Sequence, residues 1–261
     1  MLSLWHRWPR VCALLARQKR IFFLLDFDGT LAPLASSPHQ VRFPAGIRTL
    51  LRDLRSRPRV SVAVLSGRSL PDVRTYVGLP ALYYGGNHGL EIQGPGISFR
   101  HRGAVSARAA LQRLSRRIRR DLRSFPAAVL ENKGLTLSVH YRRVPRPHVP
   151  RLRRLLRRLQ TETSALPVRW SSGHEVREVL PRVDWNKGAA ALYLMRRLRF
   201  PFAVAVGDDN TDEDLFAALK GKGVSIRVGR KNSSRADYYV SDQRQVPRLL
   251  ALAGAALRSA T

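Results

Sequence analysis

The sequence predicts an α/β protein: a core built on a parallel sheet, interrupted by an inserted α+β unit with an antiparallel sheet. Three observations predict it. Several short apolar runs are continuous rather than alternating, as expected of strands buried on both faces. Segments with helical spacing lie between them. The rhythm breaks near residue 94 and resumes near residue 182. With 261 residues, 44% of them hydrophobic, the chain is long enough for one large domain or for a core plus an insert.

The elements follow in order. Residues 1–20 are basic, acid-free and partly apolar. They resemble a transit peptide, but the expected form is a helix leading into the first strand, because Arg17, Lys19 and Arg20 abut that strand with no cleavage signal between. Residues 21–25 form the first buried strand, ending in Asp26-Phe27-Asp28-Gly29-Thr30. Residues 47–54 have helical spacing. Residues 60–65 are a second buried strand, ending in Ser66-Gly67-Arg68, and 70–77 a short helix. Residues 82–84 are a third strand, ending in Gly85-Gly86-Asn87-His88-Gly89. Polar residues and glycines thus gather at the carboxyl ends of the strands, where open α/β sheets bind ligands.

From 94 to 181 the pattern reads helix, strand (127–130), strand (135–141), helix (151–162), strand (168–171), strand (175–180). Tight turns such as Asn132-Lys133-Gly134 imply antiparallel pairing. The first rhythm resumes with a helix at 185–199 and a buried strand at 202–206, which ends in Gly207-Asp208-Asp209-Asn210-Thr211-Asp212. A helix from 214, strands at 224–228 and 238–240, and a helix at 246–256 complete a Rossmann-like three-layer core. The expected domains are therefore a lead-in at 1–20, a core made of 21–93 and 182–261, and an α+β insert at 94–181.

Composition excludes whole classes. Cys12 is the only cysteine, so no internal disulfide scaffold exists. A lone thiol fits a reducing compartment, and a cytoplasmic location is expected. No apolar run approaches the ~18–20 residues of a membrane-crossing helix. Nothing in the pattern sets an oligomeric state. The net charge is +29, with 41 arginines and only six lysines. Residues 100–158 alone carry a net +16. Such a charge follows either from a coding bias towards arginine or from contact with nucleic acid or an anionic surface, with no sequence specificity expected. Leucines recur at helical spacing through the same stretch, so its arginines belong to solvated helix faces.

The acids are scarce but clustered. Seven of 18 fall at Asp26, Asp28, Asp208, Asp209, Asp212, Glu213 and Asp214. A capping box accounts for Thr211 to Asp214, but not for Asp208 and Asp209. If the two strand ends are neighbours, several carboxylates converge and need a cation. With no His or Cys beside them, these hard oxygen donors favour Mg²⁺. A carboxylate in such a place is also a possible nucleophile, and a second one two residues on is a possible general acid and base. Ser66 and Lys187 add the hydroxyl and the fixed positive charge that would hold a transferring phosphoryl group.

Asp26-Phe27-Asp28-Gly29-Thr30-Leu31, Ser66 in Leu65-Ser66-Gly67-Arg68, Lys187, and Gly207-Asp208-Asp209, in that order, resemble the haloacid dehalogenase superfamily of phosphatases. Finer features resemble its trehalose-6-phosphate phosphatases: Gly86-Asn87-His88-Gly89-Leu90-Glu91, the stretch from Glu131 to Arg142, Gly173 to Glu178 with Pro181, Asp184-Trp185-Asn186-Lys187-Gly188, and Gly207 to Phe216. The resemblance implies Mg²⁺-dependent hydrolysis of a small sugar phosphate, trehalose 6-phosphate, with the insert as a cap domain. It implies Asp26 as nucleophile and Asp28 as general acid and base. Ser66 and Lys187 would grip the phosphoryl oxygens. The metal would be held by Asp26, the Asp28 backbone carbonyl and Asp208, with Asp209 or Asp212 in support. Thr30 would order the first loop. Arg68, Asn87 and His88 in the core, and Lys133, His140, Arg142 and Glu178 in the cap, would meet the substrate. The alternatives are a phosphatase of another sugar phosphate, such as sucrose phosphate or mannosyl phosphoglycerate, and a basic polyanion-binding protein with a vestigial site.

Overall fold

The computed structural model describes residues 1–34, 40–173 and 175–258; residue 174, within the motif 173–178, lies outside them. The chain divides into two units, Met1–Phe99 with Trp185–Thr261, and Arg100–Asp184.

The first unit is built on a nine-stranded sheet. In chain order its elements are β1 (Leu2–Ser3), α1 (Leu4–Ala16), β2 (Ile21–Asp26), α2 (Ala45–Arg55), β3 (Val60–Leu65), α3 (Leu70–Val77), β4 (Tyr83–Gly86), β5 (Glu91–Gly94) and β6 (Ile97–Arg100). After the second unit come α7 (Lys187–Leu198), β11 (Phe202–Gly207), α8 (Asp212–Ala218), β12 (Gly223–Val228), β13 (Tyr238–Val240) and α9 (Val246–Ala256). Strand order is β1-β13-β12-β11-β2-β3-β4-β5-β6. Every pairing from β1 to β4 is parallel, and β5 turns antiparallel to β4.

Two-sided burial explains the continuous apolar runs. Ile21, Phe23 and Leu25 enter one core cluster with α1, α2, α3 and α9 residues, whereas Phe22 and Leu24 enter the other, under α7 and α8. Strand β11 divides likewise, Val204 and Val206 to the first face, Ala203 and Ala205 to the second. Local signals set the helix ends. Ser69 accepts from the Asp72 amide at 3.3 Å and Pro71 sits in the first turn of α3, both favourable at a helix start. Asn186 caps α7 by accepting from the Ala189 amide at 2.9 Å. That cap fixes where α7 begins, and Lys187 is its first residue.

Two differences from the sequence expectation stand out. Residues 91–100 form two further strands, where a helix was expected to follow residue 94 directly, so the first unit runs on to Phe99. The lead-in is a helix, as expected, but it is preceded by a two-residue strand that extends the sheet beside β13. Leu4, Val11 and Leu15 of α1 are buried in the core.

The second unit holds α4 (Arg102–Ser106), α5 (Arg108–Asp121), β7 (Val129–Asn132), β8 (Leu137–His140), α6 (Val149–Glu162), β9 (Val168–Gly173) and β10 (Val176–Pro181). Its sheet has the order β7-β8-β10-β9, antiparallel throughout. Leu111, Leu114 and Ile118 of α5 and Leu152, Leu156 and Leu159 of α6 share one core with Leu137, Val139 and Val179 of the sheet. Among the described residues no helix is long and apolar enough to cross a membrane.

Phe23 is 1% exposed at the centre of β2. Phe23→Ala is expected to cost about 3–5 kcal/mol by loss of transfer energy and creation of a cavity, read as a lowered urea midpoint.

Candidate active site

The site of the first unit forms where β2 and β11 end. Their register pairs Leu25 with Val206, which sets Asp26 beside Gly207 and brings Asp208 across. Two glycines permit the approach. A Cβ on Gly207 would lie 2.3 Å from the Asp212 carboxyl carbon. Gly29 has φ +80°, and a Cβ there would lie 2.3 Å from Asp208 Oδ2. Side chains at either position would displace the carboxylates that define the site.

Lys187 Nζ donates to Asp26 Oδ1 at 2.5 Å and to Asp212 Oδ1 at 2.8 Å. All three residues are enclosed, with 2%, 4% and 0% exposure for Lys187, Asp26 and Asp212. Asp212 Oδ2 accepts the backbone amides of Asp208 and Asp209, each at 3.0 Å. Thr30 Oγ1 donates to Asp208 Oδ1 at 3.0 Å, tying the loop after β2 to the end of β11. Arg227 of β12 donates to the carbonyls of Asp208 and Asp209 and to Glu213, which fixes the β11 turn from the other side.

The electrostatics follow from enclosure. Burial alone would lower the Lys187 pKa, but Asp212 and Asp26 outweigh it and push the ammonium above the ordinary lysine range. Burial acts oppositely on the acids. It raises Asp26 well above the usual carboxylate range despite Lys187, with Asp212 and Asp208 adding repulsion. Asp208 is pushed up to about 6, by burial first and Asp212 second.

One oxygen from each of Asp26, Asp208 and Asp212 lies within 4.8 Å of the others. Three carboxylates share one ammonium, so ionisation leaves two negative charges uncompensated. The donors are hard oxygens with no sulfur or imidazole among them. This set fits a small hard divalent cation, which takes carboxylates together with waters and phosphate oxygens. Asp209, expected as a ligand, stands outside the trio: it is exposed, and its Oδ1 accepts from the Asn210 amide. Asp212 takes the inward place instead. The capping box expected at Thr211 is absent, since Thr211 makes no side-chain cap and the Asp212 carboxylate turns into the site.

Asp28 points to Arg68, which donates through Nε to Oδ2 and through Nη2 to Oδ1, both at 2.7 Å. The Arg68 guanidinium also lies over the rings of Phe27 and Tyr76, 5.2 and 5.0 Å from their centroids. Ser66 is buried at the end of β3, and its Oγ accepts from the Arg68 amide at 3.1 Å. Asn87 and His88 are also buried, both with positive φ, in the turn after β4. Asn87 Nδ2 donates to Glu91 Oε1 at 3.0 Å, and the His88 ring packs where a Cβ of Gly67 would be.

The second unit has its own polar row. Register aligns Glu131 with Ser138 and Ser138 with Glu178 across β7, β8 and β10, so the three share a face. Ser138 Oγ donates to Glu178 Oε1 at 3.2 Å. Lys133 Nζ lies 3.9 Å from Glu131 and 3.7 Å from Glu178, and His140 Nε2 lies 2.8 Å from Glu131. Arg142 pairs instead with Glu175 at 3.2 Å. Glu131 is the residue the sequence did not single out; its signal was its place opposite Ser138 and diagonal to His140 in the adjoining strand.

Residues 24–244 match the sequence profile of a family described as trehalose-phosphatase. The chain belongs to the trehalose-phosphatase family. It is 36% identical over 221 residues to a trehalose-phosphate phosphatase of Mycobacterium tuberculosis strain H37Rv, covering 82% of this chain and 55% of that protein. It is 30% identical over 253 residues to trehalose-phosphate phosphatase B of Arabidopsis thaliana, covering 90% and 66%. The chain thus spans just over half the length of its mycobacterial relative. In fold it is similar to a trehalose-6-phosphate phosphatase related protein (TM-score 0.80, 23% identity, covering 92% of this chain and 100% of that one). It is similar also to the C-terminal domain of the C. albicans trehalose-6-phosphate phosphatase (TM-score 0.79, 22% identity, covering 95% and 96%). The parallel sheet of the first unit and the separate antiparallel sheet of the second belong to an α/β fold shared with these solved structures.

Lys187→Met leaves three enclosed carboxylates with no cation. It is expected to cost about 3–5 kcal/mol, read by urea denaturation in chelator, and added Mg²⁺ should restore part of the loss.

Proposed function

We propose that this chain is a Mg²⁺-dependent phosphomonoester hydrolase that converts trehalose 6-phosphate to trehalose and phosphate. The observation that carries the reading is the Asp26 carboxylate, enclosed at the sheet edge, held by Lys187 and faced by Asp208 and Asp212. Family membership supplies the sugar.

In this reading an Asp26 oxygen attacks phosphorus in line. The new O–P bond forms as the bond to the sugar oxygen breaks, and Asp28 delivers a proton to that oxygen. Asp28 then takes a proton from water as the water attacks the aspartyl-phosphate, releasing phosphate and restoring Asp26. Lys187 and Ser66 hold phosphoryl oxygens, Lys187 also keeping the Asp26 oxygen aimed. Asp26, Asp208 and Asp212 would hold the metal, with the Asp28 backbone carbonyl. Bound there, the ion offsets the negative charge that gathers on the phosphoryl group.

Arg68 refines the roles. A carboxylate that accepts two guanidinium hydrogen bonds has no proton to give, so the arrangement seen suits Asp28 as base. Donation to the leaving oxygen requires the Asp28–Arg68 pair to open. Arg68 therefore positions Asp28 rather than gripping substrate. Glu131, Lys133, His140 and Glu178 supply donors and acceptors for sugar hydroxyls; a sugar lacking a partner for one of them leaves a buried polar group unpaired. Arg142, paired with Glu175, is left to a lesser role, and Asn87 and His88 hold the turn beside Ser66. A cytoplasmic location belongs with the same reading.

The test is release of phosphate from a panel of trehalose 6-phosphate, sucrose 6-phosphate and glucose 6-phosphate, with and without Mg²⁺. Trehalose 6-phosphate should be turned over fastest and only with the ion; equal rates on glucose 6-phosphate would remove the substrate assignment. Asp26→Asn should lower turnover by at least about 10³-fold with an unchanged circular dichroism spectrum, and Asp28→Asn should be nearly as damaging.

A further inference from the structure

A cleft of about 880 Å³ lies between the end of α5 and one face of α6 in the second unit. Arg120 lines one side, and Arg151, Arg154, Arg157 and Arg158 line the other. Arg151, Arg154 and Arg158 recur at helical spacing, so they form one stripe roughly 10 Å long. The opposite face of α6 carries Leu152, Leu156 and Leu159 in the core. Packing therefore demands the leucines and places no demand on the arginines.

The charge is not balanced locally. Asp121 on the rim is already met by Arg117 and Arg120 at 3.9 and 3.5 Å. Glu162 is met by Arg117 and by Arg158. Among the described residues, Arg154 and Arg157 form no ion pair. Six arginines thus stand around two acids, with neighbours along the stripe inside a Debye length of about 8 Å. An anion in the cleft would offset that repulsion.

Shape and chemistry narrow the anion. The volume is in the range of about 300–1,000 Å³ found for small-ligand sites, whereas a nucleic-acid strand needs an extended track. Phe125 at the cleft is buried, with the Arg151 guanidinium 5.8 Å from its ring centroid, so no ring is offered for base stacking. Guanidinium forks match phosphoryl oxygens two by two. We propose that this cleft binds a small oligophosphate, a chain of phosphoryl groups that is either inorganic or the tail of a nucleotide. The role is separate from turnover, since none of these arginines belongs to the catalytic constellation.

The experiment is calorimetric titration of the full chain with inorganic tripolyphosphate at 0.15 M salt, without divalent ions. Arg154→Gln with Arg157→Gln alters two exposed helix positions and should weaken binding by about tenfold or more, while hydrolysis of trehalose 6-phosphate is unchanged. Arg116→Gln with Arg119→Gln, exposed on α5 and outside the cleft, removes the same charge and should weaken it by less than about twofold. A parallel titration with ATP separates the sources: tighter binding than tripolyphosphate identifies a nucleotide, equal or weaker binding an inorganic chain. The proposal is overturned by no binding, by equal losses in the two double variants, by binding that the Arg154/Arg157 change leaves intact, or by a DNA duplex that binds more tightly than tripolyphosphate at the same salt.

Discussion

Everything at the carboxylate site of the first unit depends on one buried ammonium shared by two carboxylates. Lys187 touches Asp26 and Asp212 while almost no solvent reaches any of the three. An ion pair so enclosed repays its desolvation only when geometry is good and the remaining lone pairs are met. The fold meets these terms piece by piece. The Asn186 cap fixes the start of α7. The β2–β11 register sets Asp26 opposite the β11 turn. The amides of Asp208 and Asp209 and the Thr30 hydroxyl satisfy carboxylate oxygens that the ammonium does not reach. Remove any of these and a buried charge loses its partner.

Much of the core was legible because parallel strands have a simple signature. Residues 21–25, 60–65 and 202–206 must bury both faces, so no polar residue interrupts them apart from Ser61, and polar residues start where the strands end. The pair β5 and β6 was not legible. Four-residue strands next to Gly94 and Gly96 give no period to read, and both strands depend on the sheet edge for their form. The same holds for β1, two residues long, which exists only because β13 is beside it.

The site was legible by composition more than by position. That several of the acids at 26, 28 and 208–214 would converge was expected if the two strand ends were neighbours, and Asp26, Asp208 and Asp212 do. Which of them would face inward was not. Asp208, Asp209 and Asp212 are the same side chain within five residues, and the helix entry at Asp212 decides between them. There the backbone amides of 208 and 209 turn towards Asp212 Oδ2, leaving the Asp209 carboxylate in solvent. A capping box explains Asp212 equally well in sequence, and only the third dimension separates the two. The pairing of Asp28 with Arg68 was hidden for a related reason, since 40 residues separate them and strand adjacency alone joins them.

The chain treats charge in two ways, and dielectric environment explains both. Two unit charges 4 Å apart interact by about 1 kcal/mol in water but about 4 kcal/mol at the effective dielectric of a protein surface region. Three negative charges at Asp26, Asp208 and Asp212 are therefore expensive together, and the cost is met by placement of Lys187 and by raised pKa values of Asp26 and Asp208, while the three oxygens fit a divalent ion. A net +29 spread over exposed arginines is screened within a Debye length and costs little per residue. Folding accordingly depends on the carboxylate trio and hardly at all on the outer arginines. The cleft between α5 and α6 is the exception. It gathers Arg120, Arg151, Arg154, Arg157 and Arg158 around one cavity, where a bound anion would meet several guanidinium groups at once.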